Sequence, residues 1–168
     1  MERPLTTDLP VTADHILAMC QRAFGPTVQV IAARELGGGT FNMTFLITLP
    51  EQKVILRIAP PPTAALAWHE QQLMRREQHI QPFFAAVAHL MPRTLMVDFT
   101  HQVIPRDYVF QTFIEGERWD DIADSFTVEE QAQLWEQFGH ITKSIHSTVG
   151  TKFGGPYPMT EFRTWSQT

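Results

Sequence analysis

Three consecutive glycines, Gly37-Gly38-Gly39, run into Thr40-Phe41-Asn42 and are the first residues whose types could do chemistry. Glycine tolerates positive φ and lets backbone N–H groups come close to a ligand. A turn of successive N–H groups forms a nest for an anion such as phosphate. The segment lacks the Gly-Lys-Ser/Thr that opens a helix in a P-loop, and the pattern after it is that of a strand, unlike a dinucleotide fingerprint. A glycine cluster between strands also fits an ordinary hairpin turn. Arg57 is the second candidate. In Val54-Ile55-Leu56-Arg57-Ile58, alternation places Val54, Leu56 and Ile58 on one face and Ile55 and Arg57 on the other. A charge inside an apolar strand is costly without a partner. The guanidinium either snorkels to water from an edge strand or aims its planar fork at a carboxylate and a phosphate. Glu70 and Glu77 are the carboxylates at hand. With Leu66, Leu73 and Ile80 they recur at steps of four and three, one face of a helix. An unpaired carboxylate on an apolar stripe is expensive, so either one of them pairs with Arg57 or both edge the stripe and face water.

These residues need elements to hold them. A helix is predicted from Ala13 to Phe24, opened by Thr12 and closed by Gly25, with Ile16, Met19, Cys20 and Ala23 at helical spacing. Strands follow from Val28 to Glu35, Met43 to Leu49 and Lys53 to Ala59, an antiparallel meander that Pro60-Pro61-Pro62 ends. A second helix is predicted from Ala64 to Gln81 with Thr63 as its cap; Pro82 continues or kinks it. Two further strands run from Thr94 to Phe99 and from Tyr108 to Ile114. After Glu115-Gly116 strand signals vanish. Thr127-x-x-Glu130 is a capping box, and Leu134, Phe138, Ile141 and Ile145 behind it mark the best amphipathic helix of the chain. The class is α+β: a five-stranded antiparallel sheet with one helix against it, then a helical region. The boundary falls at Glu115-Gly116, giving residues 1–114 and 115–168.

Composition narrows the function classes. Of 168 residues 43 % are apolar and 18 % charged, a globular balance. The net charge is −5, and no Lys/Arg run or basic stripe offers a footprint for nucleic acid. A single cysteine, Cys20, allows no intrachain disulfide and no cysteine-based metal site, and on an apolar helix face it reads as a buried structural thiol. Met1-Glu2-Arg3-Pro4 lacks a signal-peptide pattern, and no apolar run reaches a membrane span. The expectation is a soluble, cytoplasmic protein with neither nucleic-acid nor membrane partners. Without a secretory signal, the sequon Asn42-Met43-Thr44 is a chance match.

A glycine-rich hairpin, a cation on the third strand, a glutamate on the next helix, two more strands and a Gly-containing linker form the layout of a kinase N-terminal lobe. In wording the chain resembles the aminoglycoside phosphotransferases and their choline-kinase-like relatives. Leu36-Gly37-Gly38-Gly39-Thr40-Phe41-Asn42 is similar to their GG-x-x-N loop, and Val54 to Pro60 to their third strand. Met74-Arg75-Arg76-Glu77 resembles the start of their glutamate motif, Tyr108 to Gly116 their hinge, and Leu134 to His146 the long helix ending in Leu-His. The resemblance implies a kinase-like N-terminal lobe followed by the first helices of an incomplete helical C-terminal lobe. It implies ATP (or GTP) with Mg²⁺ as the cofactor, and phosphoryl transfer to a hydroxyl of an antibiotic or metabolite. Residue by residue, it implies that the backbone at Gly38, Gly39, Thr40, Phe41 and Asn42 covers the phosphates. Arg57 would hold the α/β-phosphates, oriented by Glu77 or, as second choice, Glu70. Ile55 would pack on the adenine, Gln111 would stand behind it, and the backbone of Thr112 and Ile114 would bond its edge.

The departures are as specific. The family's catalytic loop carries His-Gly-Asp and a later asparagine. None of His15, His69, His79, His89, His101, His140 and His146 precedes x-Asp. Asp98-Phe99-Thr100 imitates a metal-binding Asp-Phe-Gly but precedes the hinge and reads as a strand end. Asp120, Asp121 and Asp124 read as a solvated helix start. No catalytic residue and no metal ligand is therefore assigned. Phe153-Gly154-Gly155-Pro156 resembles the turn after the long helix, and Thr164-Trp165-Ser166 the start of another at the chain's end. The expectation is a truncated product, a split gene or a fragment. Such a chain is inactive alone and needs a complementing C-terminal polypeptide. The alternative is a non-catalytic nucleotide-binding or protein-interaction module that pairs through the exposed side of the Leu134 helix.

Overall fold

The computed structural model describes residues 10–37, 41–67, 70–151, 153, 154 and 164. Its first helix, α1 (Ala13–Phe24), forms as the caps dictate. The Thr12 hydroxyl accepts from the His15 N–H and the His15 side chain returns to the Thr12 backbone, satisfying donors the helix leaves open. Gly25 ends it at φ 102°, a conformation that favours glycine. Ile16, Met19 and Cys20 are buried.

Five strands follow in one antiparallel sheet: β1 (Ala32–Leu36), β2 (Met43–Thr48), β3 (Lys53–Ile58), β4 (Thr94–Asp98) and β5 (Tyr108–Thr112). Their spatial order is β1-β2-β3-β5-β4, so β3 is central and β1 and β4 are the edges. The α+β class with five antiparallel strands is as read from the sequence. The first strand is shorter than predicted. The turn after Gly25, closed by the Val28 N–H to the Gly25 carbonyl at 3.1 Å, consumes residues at its start. Val28 and Val30 pack against the core from outside the ladder, which accounts for their strand-like alternation.

One face of the sheet makes the core. Phe45 and Ile47 of β2, Leu56 and Ile58 of β3, and Tyr108 and Phe110 of β5 are buried together with Ile16, Met19 and Cys20 of α1. The helix on this face is thus the one before the sheet. Phe24 meets Phe110 edge to face, with centroids 5.0 Å apart at 75°. Burial pushes the Cys20 thiol up to about 11, so it is an inert core thiol.

The second predicted helix is corrected. It does not run from Ala64; α2 spans Leu73–Ile80. Gln72 just before it has φ 55°, which no α-helix accommodates. Thr63 lies in a turn. A 3₁₀ helix, Gln81–Leu90, continues from α2 with Pro82 in its first turn, where a missing N–H costs nothing.

The chain divides into two units: residues 1–74 with 92–113, and residues 75–91 with 114–168. The first holds α1 and the sheet. The second holds the Gln81–Leu90 helix, α3 (Trp119–Ile122), a 3₁₀ turn (Ala123–Ser125) and α4 (Val128–His146). Within it α4 packs on the Gln81–Leu90 helix, and the Thr148 hydroxyl donates to the Phe83 carbonyl at 3.1 Å. The predicted capping box is present. The Thr127 hydroxyl accepts from the Glu130 N–H, and the Glu130 carboxylate accepts from the Thr127 N–H at 2.9 Å. These bonds hold the Glu130 carboxyl below the usual carboxylate range. Yet α4 has no buried residue. The predicted helix start at 164–166 and the turn at 153–156 lie largely outside the described residues. Among the described residues no helix is long and apolar enough to cross a membrane.

Candidate functional site

The register of the first unit brings several of the expected residues together. Leu36 pairs with Thr44, closing the two ends of the glycine connection. Thr44 pairs with Arg57 on β3. Arg57 thus stands on the strand next to the base of that connection, since Thr44 lies two residues beyond Asn42. One row along, Ile55 pairs with Leu46 on one side and Gln111 on the other. Directly opposed residues in such a ladder bring their side chains to about 5 Å.

The alternation of β3 is as the sequence dictates. Val54, Leu56 and Ile58 are fully buried, and Ile55 and Arg57 are half-buried on the opposite face. Thr44, Leu46 and Gln111 of the neighbouring strands are half-buried too. The open reading that Arg57 is an edge-strand arginine is removed by the strand order: β3 has β2 on one side and β5 on the other.

Other expected residues stand differently. Gly38, Gly39 and Thr40 lie outside the described residues, while Phe41 and Asn42 are half-buried in the bend entering β2. Glu70 and Glu77 do not share one continuous helix, because α2 starts at Leu73. Glu70 serves its own turn, its carboxylate accepting from the Ala67 N–H at 2.8 Å. Glu77 is half-buried on α2, in the segment grouped with the second unit. The Thr112 N–H donates to the Arg93 carbonyl, and the Thr112 hydroxyl accepts from the Arg93 N–H, both at 2.9 Å. Ile114 is exposed just beyond β5.

The sequence reading missed a polar network behind the sheet, centred on the buried Asp98 and Tyr108. Asp98, read only as a strand end, does end β4 and is 2 % exposed. One oxygen accepts from the Thr100 N–H at 2.7 Å and the Thr100 hydroxyl at 2.6 Å. The other accepts from the Tyr108 hydroxyl at 2.8 Å and pairs with Nε of Arg22. Arg22 also donates to the Gln102 side chain at 2.8 Å. Burial opposes the charge of Asp98, but the bonds from Thr100 and Tyr108 and the Arg22 guanidinium outweigh it and hold the carboxyl below its ordinary value. Tyr108 is pushed far up, first by burial and then by the carboxylate it serves. The network locks the end of α1 to the β4–β5 hairpin, and β5 carries Gln111 and Thr112. A carboxylate at the end of an apolar strand, with a tyrosine opening the next, is the one sequence signal that hinted at it.

Among the described residues no three His, Cys, Asp or Glu side chains converge on a point that could hold a metal ion. Asp120 and Asp121 sit in the first turn of α3, and Asp120 meets Arg118 at 3.1 Å in the open.

No curated protein matches the chain in sequence. Among solved structures it is similar to the crystal structure of "a putative aminoglycoside phosphotransferase" from Ralstonia eutropha, at 16 % identity and a TM-score of 0.46. That likeness covers 63 % of this chain and 29 % of the other, so the chain spans less than a third of that structure. The sequence model of the phosphotransferase enzyme family APH matches residues 32–167, most of the length. The chain belongs to the APH phosphotransferase enzyme family.

Proposed function

We propose that this chain supplies the nucleotide-binding part of an APH-type small-molecule kinase and does not transfer phosphate by itself. The observation that carries the reading is the register around Arg57. A cation on a central strand, beside the base of a glycine connection, shares the open face of the sheet with Ile55 and Gln111. Planar guanidinium suits the bidentate contact that nucleotide phosphates offer. On this reading the backbone of Gly38 to Asn42 covers the phosphates and Arg57 binds the α/β-phosphates, with Glu77 orienting it. Ile55 packs on the adenine and Gln111 stands behind it. Because the Thr112 N–H is committed to Arg93, Thr112 contributes its carbonyl oxygen and Ile114 its N–H. The acceptor is a small-molecule hydroxyl. No His-x-Asp occurs in these 168 residues, so a base for that hydroxyl and the Mg²⁺ ligands would come from outside them, in a complementing polypeptide or in further chain.

The test is a thermal shift with Mg-ATP and Mg-GTP. At about a hundredfold excess over Kd, binding stabilises the folded state by about 2.7 kcal/mol. Arg57→Ala is expected to remove most of that shift, each protein being compared with its own unliganded melting point. No shift at millimolar nucleotide sinks the reading. It would leave a protein-interaction module, which the exposed apolar side chains of α4 favour.

A further inference from the structure

Three glycines give the connection between β1 and β2 no shape of their own, so its ends must be held if it is to bind phosphate. One end, Leu36, is held by the ladder to Thr44. The other end runs through Asn42 into Met43, the first residue of β2, and a side chain from the turn between β4 and β5 grips it. Nη1 of Arg106 donates to the Met43 sulfur at 3.4 Å. Met43 faces Ile58, and Ile58 faces Tyr108, the row beside that of Thr44, Arg57 and Val109. The grip therefore acts one residue from the strand partner of Arg57.

The turn that carries Arg106 is itself fixed. Its Ile104 is buried in the core of the first unit. The Arg106 N–H donates to the Ile104 carbonyl at 2.8 Å, a three-residue turn about Pro105. The Asp107 carbonyl accepts from the Ala59 N–H at 2.8 Å, just past the end of β3, and the Asp107 carboxylate meets Nε2 of His101 at 2.8 Å. One turn thus holds the strand end beyond Arg57 and the strand start beyond the glycines. Arg106 is 8 % exposed. A well-packed apolar side chain in place of a buried charged one often leaves stability unchanged or raises it. Stability alone therefore does not call for a guanidinium at this point.

We propose that Arg106 is a positioning residue for phosphate binding. It touches no nucleotide; it fixes the exit of the glycine connection at Met43, so that the backbone of Gly38 to Asn42 keeps its place over the phosphates. The inference rests on the nucleotide reading above.

The test is calorimetric titration of the whole chain with Mg-ATP and, separately, with adenosine, which carries the base and no phosphate. Arg106→Met keeps an unbranched side chain and removes the charge. It is expected to weaken Mg-ATP about tenfold and adenosine by less than about twofold, because only the phosphate contacts lose their alignment. Arg106→Lys, which keeps a cation and its donors, should retain more of the Mg-ATP affinity. Circular dichroism checks that each variant folds. Should Arg106→Met not fold, Met43→Leu decides, since it removes the sulfur and conserves volume; a loss confined to Mg-ATP is expected there too. Folded variants whose affinities for the two ligands fall together, or do not fall, overturn the proposal and leave the nucleotide reading standing. A wild-type chain that binds neither ligand, or binds adenosine as tightly as Mg-ATP, overturns both.

Discussion

The two units of this chain hold themselves together by different means. In the first, Ile47, Val54, Leu56, Ile58, Tyr108 and Phe110 are wholly buried between the sheet and α1. Even its polar centre is closed: every oxygen of Asp98 has a donor. In the second, the 19-residue helix α4 buries nothing fully, and Trp135 and Phe138 are each more than half exposed. Besides its packing on the Gln81–Leu90 helix, its order comes from local devices, a capping box at Thr127 and a ladder of four aromatic rings from Phe126 through Trp119 and Trp135 to Phe138. The first unit is an over-determined frame on which a site can be placed accurately. The second is a surface whose apolar side chains call for a covering partner.

The sharpest way to break that contrast is to remove a group on which the first unit depends. Asp98→Ala leaves the buried Tyr108 hydroxyl without an acceptor and Arg22 without its counter-charge. A buried hydroxyl left unsatisfied costs about 1–3 kcal/mol, while the Arg22 side chain, 36 % exposed, can turn to water. Phe138→Ala in the second unit, at 57 % exposure, should cost under about 1 kcal/mol in dilute protein. Urea midpoints of both variants, followed by circular dichroism, compare them directly. Equal losses would mean that the Asp98 network is not a pillar of the fold.

A gentler probe of the same network is acid. The folded-state pKa of Asp98 is depressed, so the carboxylate contributes stability that is complete above its unfolded value of about 3.9. That contribution is lost as pH falls through the lower folded value. Urea midpoints measured from neutral pH downward should drop below about pH 4. The drop should be shallower in Asp98→Asn, which starts weaker but has no proton to gain there. Parallel curves for the two proteins would assign the acid sensitivity to other carboxylates.

What the sequence could announce follows from the range over which each feature is encoded. α1 and α4 were legible because their signals are local, Thr12 and Gly25 bounding the apolar spacing of α1 and Thr127 with Glu130 opening α4. The faces of β3 were legible because alternation is local. The place of β3 at the centre of the sheet was not, since β5 inserts between β3 and β4 and nothing in either strand records that order. The long second helix misled for the opposite reason. Leu66, Glu70, Leu73 and Glu77 keep perfect periodicity across Gln71-Gln72, where no glycine or proline warns of the φ 55° at Gln72. The Asp98 network joins Arg22 to residues nearly eighty positions away, and only the folded chain puts them side by side. Of the candidate site, the residues on β3 could be placed by pattern, whereas the setting of Glu77 and Thr112 depended on a helix start and a strand partner that no motif encodes.

The smallest expected effect tests whether the second unit really relies on local order. Thr127→Ala removes the hydroxyl that accepts from the Glu130 N–H at 3.2 Å and loosens the return bond from Glu130 to the Thr127 backbone. Loss of such a cap typically costs about 1 kcal/mol. In a helix buried along its length that loss would disappear into the packing energy. In α4, which has no buried residue, it should fray the first turn. Amide exchange should then accelerate severalfold at residues 129–132, while β3 and β5 of the first unit exchange as before. If Thr127→Ala left exchange in α4 unchanged, the helix would be held by contacts other than its cap, and the contrast between the two units would narrow.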